Sequence, residues 1–133
     1  MMSYQQFLQR IQWVGHFDSL RQAEKASKAV LKTLARRLSE QEARHLWHQL
    51  PPGIEISVKH EKGHEKFGVD EFFDMVAEQE RVTFKEAINH SEAVLGALQE
   101  NIPSKDMEEM LSFLPEDYAA LLSRARALTL ASR

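Results

Sequence analysis

The chain has 133 residues, a formal net charge of −3, 43% hydrophobic and 28% charged residues. That composition fits one globular domain and excludes a disordered polyelectrolyte, and no apolar run approaches the length of a membrane span. The absence of cysteine removes disulfides, thiolate metal sites, iron–sulfur clusters and cysteine nucleophiles together, and five Gly with four Pro are few for the turns of an all-β chain.

In chain order, the opening MMSYQQFLQR lacks the basic segment and apolar stretch of a secretory signal, so a cytoplasmic protein is expected. Phe7, Leu8 and Ile11 lie on one face of a first helix, closed by Val14 and Phe17. Trp13 beside them is either a seal over the helix end or an exposed interface anchor. Ser19-Leu20-Arg21-Gln22 has the form of a capping box, which predicts the start of a long helix. Its apolar and small residues recur at helical spacing, through Leu20, Ala23, Ser27, Val30, Leu31, Leu34 and Leu38. On the other face Arg21, Lys25, Lys28, Lys32 and Arg36 form one basic stripe, with Arg37 beside it. Ser39-Glu40-Gln41-Glu42 is a further capping box, opening a shorter helix that ends at Leu50-Pro51.

Residues 52–67 read as a connector. Ile54, Ile56 and Val58 alternate, but one short strand has no partner, so an extended or one-turn helical piece with a charged tip is expected. After it, Phe72, Phe73 and Val76 begin a helix, and Thr83-Phe84-Lys85-Glu86 is a capping box for a second long one. Ala87, Ile88, Ser91, Val94, Leu95, Leu98 and Ile102 give that helix its apolar face. Ser104 after Pro103 is placed as the cap of another short helix, ending at Leu114-Pro115. Residues 116–129 continue as a terminal helix with Tyr118, Leu121, Leu122 and Ala125 on one face.

An offset of 64 residues superimposes much of this pattern on itself. Ala23, Ser27, Ala29, Val30, Leu31, Leu34, Leu50 and Pro51 meet identical residues at 87, 91, 93, 94, 95, 98, 114 and 115. The chain therefore reads as a duplicated three-helix unit: repeat 1 over about 3–51, repeat 2 over about 68–115, then the terminal helix. Around 50 residues per unit is near the lower limit for an independent core. The expected fold is all-α, one compact bundle of six or seven helices over 1–133, with the two repeats related by a pseudo-twofold axis.

The Phe-Leu start, the capped helix reading Ala-x5-Ala-Val-Leu-x2-Leu and the short helix ending in Leu-Pro, occurring twice, resemble the bacterial domain of unknown function 2267 family. The likeness runs roughly from Phe7 to Leu122, and Leu-Pro followed by Glu-Asp-Tyr118 is its most distinctive part. It implies a compact helical protein of the bacterial cytosol built from two similar halves, and it carries over no catalytic residue.

No phosphate loop, nucleophile elbow or dinucleotide fingerprint is present, and the glycines are isolated, so no enzymatic activity and no cofactor are expected. Metal ligands would have to come from histidine pairs, His45 with His48 on a helix and His60 with His64 in the connector. Glu42-x-x-His45 has the spacing of a carboxylate-bundle motif, yet 106–109 reads Asp-Met-Glu-Glu with no His. Charge is more telling. Residues 1–66 carry a net +4 and residues 67–133 a net −7. The basic stripe of Arg21, Lys25, Lys28, Lys32 and Arg36, with Trp13, is the candidate contact surface for an unknown protein partner or a second copy of the chain. Nucleic acid is the alternative partner, weakened by the negative total charge and the lack of interleaved aromatics. No membrane partner is expected. For a dimer, Trp13 with Phe17, or Leu121, Leu128 and Leu130, would supply the apolar patch that ion pairs alone lack.

Overall fold

Hydroxyl side chains set where most of the helices begin. The computed structural model describes residues 2–54 and 65–132. Seven helices lie among the described residues: α1 (Tyr4–Gly15), α2 (Leu20–Arg37), α3 (Glu40–Trp47), α4 (Val69–Glu80), α5 (Phe84–Glu100), α6 (Ser104–Ser112) and α7 (Asp117–Ala131). Ser39 and Thr83 make complete capping boxes with Glu42 and Glu86, and Ser3 makes one with Gln6 that the sequence reading did not single out. Ser19 caps α2 through Gln22 N, but the box is half formed, because Gln22 Oε1 accepts from Asp18 N instead of Ser19 N. Ser104 is not a cap. Pro103 holds that position and Ser104 is the first helical residue; Met107, three positions on, cannot return a hydrogen bond. In the connector, Ile56, Val58, His60 and His64 lie outside the described residues, while Ile54 and Phe67 on either side are buried.

The two long helices pack side by side. α1 packs on both α2 and α5, α4 packs on both α5 and α2, and α7 runs along α5. Buried side chains from all seven helices join one apolar cluster, including Phe7, Leu34, Leu46, Phe72, Leu98, Met110 and Leu121. Each long helix therefore touches both α1 and α4. Ala23 and Ser27 on α2, and Ala87 and Ser91 at the positions 64 residues on, are all buried.

At Gly96 the backbone of α7 lies close against α5. A methyl group there would meet Thr129 Oγ1 and come within 2.6 Å of the Ala125 carbonyl oxygen. At an offset of 64 residues this position corresponds to Lys32, so the face that carries the basic stripe on α2 is, on α5, the seat of α7. Arg124 of α7 pairs with Glu92 on the same face at 3.2 Å.

Two substitutions on α5 should move stability in opposite directions. Gly96→Ala forces α7 away from backbone it touches and should cost about 1–3 kcal/mol, lowering Tm by several degrees. Ser91 has a buried hydroxyl with no hydrogen-bond partner among the described residues. Ser91→Ala removes it and improves helix propensity, so unfolding by urea should show a gain of roughly 0.5–1 kcal/mol.

Candidate functional site

On α2 the apolar stripe is fully consumed by the core, which leaves the opposite face to the cations. Arg21, Lys25 and Lys28 are exposed, and none of them has a hydrogen bond or ion pair with another described residue. Glu24, between them in sequence, is held by the Tyr4 hydroxyl, which donates to its Oε2 at 2.8 Å. Lys32 is half-buried. Arg36 closes the row with Nη2 at 3.0 and 3.1 Å from the two Glu65 carboxylate oxygens. Arg37 does not belong to this face. It is buried, donates from Nε to the Phe67 carbonyl at 3.2 Å and lies 6.0 Å from the centre of the Tyr118 ring. Spacing alone places it next to the stripe, but its carbonyl partner is thirty residues away.

That carbonyl belongs to a junction at which the chain enters α4. The Tyr118 hydroxyl donates to Phe67 O at 3.0 Å, with Gly68 O at 3.4 Å. Gly68 stands at the N-cap of α4 and has no side chain to cap with, so Asp117 of α7 supplies one, its Oδ2 accepting from Val69 N at 2.8 Å. Burial pushes the Tyr118 phenol well above its usual range, against the opposing pull of Arg37. At the start of α5 the Glu86 carboxyl is held below the usual carboxylate range by hydrogen bonds from the Thr83 amide and hydroxyl.

Trp13 is 64% exposed, yet its indole N–H donates to Ser132 O at 2.7 Å. Arg10, one turn earlier, donates to Ser132 O and Thr129 O at 3.1 Å each and grips Glu100 with two bonds of 2.9 and 3.1 Å. Together they satisfy carbonyls at the C-terminus of α7, where a cation is favoured. Trp13 thus seals a helix end, that of α7, while leaving most of its ring in solvent. Of the other apolar residues named for a contact patch, Leu121 is buried in the chain's own core, Phe17 is half-buried against it and Leu130 is 49% exposed.

The histidines separate. His90 sits 3.0 Å from the buried Glu80 carboxylate and packs at a tilt against Phe17, with ring centres 4.7 Å apart and an interplanar angle of 48°. His48 is exposed and joins no metal-competent cluster among the described residues. His60 and His64 lie outside the described residues. His45 instead faces α6, with Nε2 at 3.5 Å from Glu109 Oε2 and 4.0 Å from Asp106 Oδ1. Asp106 and Glu109 were not singled out as its partners. The 64-residue offset pairs Glu42 with Asp106 and His45 with Glu109, so the sequence carries this signal as a histidine matched by a carboxylate and not by a second histidine.

The sequence model of a family described as "Uncharacterized conserved protein (DUF2267)" matches residues 4–121. No curated protein matches the chain at a significant level. The matched stretch takes in the junction built by Asp117 and Tyr118.

Tyr118→Phe should cost about 1 kcal/mol through the lost hydrogen bond, leaving Arg37 still bound to Phe67 O. Because folding raises the phenol's pKa, its contribution is complete below the unfolded value of 10.0 and is lost as pH climbs past it. The difference in urea midpoint between wild type and Tyr118→Phe should therefore shrink above about pH 10.

Proposed function

We propose, for a chain that belongs to the DUF2267 family, a non-enzymatic role carried by protein–protein contacts, with the basic face of α2 as the contact surface and a second copy of the chain as its occupant. The observation that carries this reading is the contrast between equivalent faces of the two long helices. On α5 the face is covered by α7 through Gly96 and Glu92. On α2 it presents Arg21, Lys25 and Lys28 in the open. The occupant follows from charge. α4, which packs beside α2, exposes Asp70, Glu71, Asp74 and Glu78. Stripes of opposite sign on neighbouring helices are self-complementary about a twofold axis, so one pairing closes a dimer instead of propagating a filament. A phosphate backbone laid along α2 would meet the same carboxylates, which favours protein over nucleic acid. The duplication of the three-helix unit belongs to the same reading, supported by the exchange of contacts in which α1 packs on α2 and α5 while α4 packs on α5 and α2.

Exposed ion pairs contribute about 0–1 kcal/mol each, so the dimer is weak and sensitive to salt. Sedimentation velocity of the untagged protein should show dimer at low ionic strength and monomer at 0.5–1 M salt, where screening reaches within about 3–4 Å. Lys25→Glu with Lys28→Glu, and separately Asp74→Lys with Glu78→Lys, should each leave a monomer, and mixing the two variants should restore a heterodimer. Monomer at low salt overturns the reading, and salt-sensitive binding of duplex DNA in its place would transfer the surface to nucleic acid.

A further inference from the structure

α3 and α6 meet through matching positions of the two repeats. Glu42 and Asp106, Leu46 and Met110, Gln49 and Phe113 line one small cavity between these helices, with His45 at its rim. Its volume is about 10 Å³, near the smallest space that holds one water molecule or ion. Glu42 and His45 on α3, and Asp106 and Glu109 on α6, are i, i+3 pairs, so each helix turns two potential ligands towards the other. Glu42 has one oxygen committed to the cap of α3, where Oε1 accepts from Ser39 N at 2.8 Å.

We infer that His45, Asp106 and Glu109 form a site for one divalent transition-metal ion of the zinc class, bridging α3 and α6. The argument is geometric. Nitrogen and oxygen donors sit about 2.0–2.2 Å from such an ion, which places neighbouring donors in a tetrahedral shell about 3.4 Å apart. The His45–Glu109 separation is already 3.5 Å, the His45–Asp106 separation is 4.0 Å, and one ligand atom from each of the three lies within 4.8 Å of the others. Small side-chain rotations close that difference, because His45 and Glu109 are about half exposed and free to turn. The imidazole selects against calcium and magnesium, which prefer oxygen-only shells. Solvent fills the remaining position, and the ion joins the third helix of each repeat, so it binds the folded chain alone and stabilises it by mass action. This site is separate from the α2 surface, and its fate does not depend on whether the chain dimerises.

The test uses untagged full-length protein, stripped with a chelator and titrated with Zn²⁺ and Co²⁺. Expected are one Zn²⁺ per chain by calorimetry, a visible Co²⁺ absorption band that Zn²⁺ displaces, and a rise in Tm with added Zn²⁺. His45→Gln and Asp106→Asn should each weaken binding by at least about 10-fold. The double variant His60→Gln with His64→Gln should bind as the wild type does, and circular dichroism should show all variants folded. Absence of Zn²⁺ binding at millimolar concentration overturns the assignment. So does binding that survives His45→Gln, binding lost in the His60/His64 double variant, or equal affinity for Mg²⁺.

Discussion

One backbone carbonyl, that of Phe67, receives hydrogen bonds from two side chains that are far apart in sequence, Arg37 at the end of α2 and Tyr118 at the start of α7. The remaining geometry depends on that convergence. It fixes where α4 begins, and α4 has no cap of its own until Asp117 provides one. With α4 placed, Phe72 packs edge-on against Tyr118 and Phe73 edge-on against Phe84, at ring separations of 5.8 and 5.7 Å. A buried guanidinium carries a large desolvation cost unless it is bonded. The carbonyl and the ring face of Tyr118 meet that requirement, which makes Arg37 a structural cation, apart from the surface ones of the same helix.

Positions 64 residues apart on the two long helices share their inward-facing residues and differ on the outward side. Positions that face inward keep the same small and branched residues, because packing admits few alternatives at that density. Positions that face outward differ: where α2 carries lysine, α5 carries a glycine that admits another helix, and where α3 carries His45, α6 carries Glu109. That difference sets a histidine opposite a carboxylate across α3 and α6. Two copies of the same residue would have repelled or merely stacked.

Local chemistry in the sequence was sufficient for the helices. Ser39, Thr83 and the apolar period located most starts and both long helices, and the terminal helix followed from the run Tyr118, Leu121, Leu122, Ala125. What escaped was whatever needs a partner far along the chain. Arg37 shares its helical neighbourhood with exposed cations, and only Phe67 and Tyr118 distinguish it. Gly96 reads as a weak point in a helix until α7 lies on it. Asp117 suits the first turn of its own helix, and its bond to Val69 N leaves no trace in spacing. His45 was visible as a ligand type, but its carboxylate partners lie on another helix.

Trp13 has a consequence of a different kind. Its indole is largely in water while its N–H is held by the last turn of α7, whereas Trp47 is half-buried on α3. The two fluorophores therefore report separate events. Emission from Trp13 follows the docking of the final helical turn, which can fray while the core stays closed, and emission from Trp47 follows the core itself. The chain carries its own optical pair for resolving local from global opening.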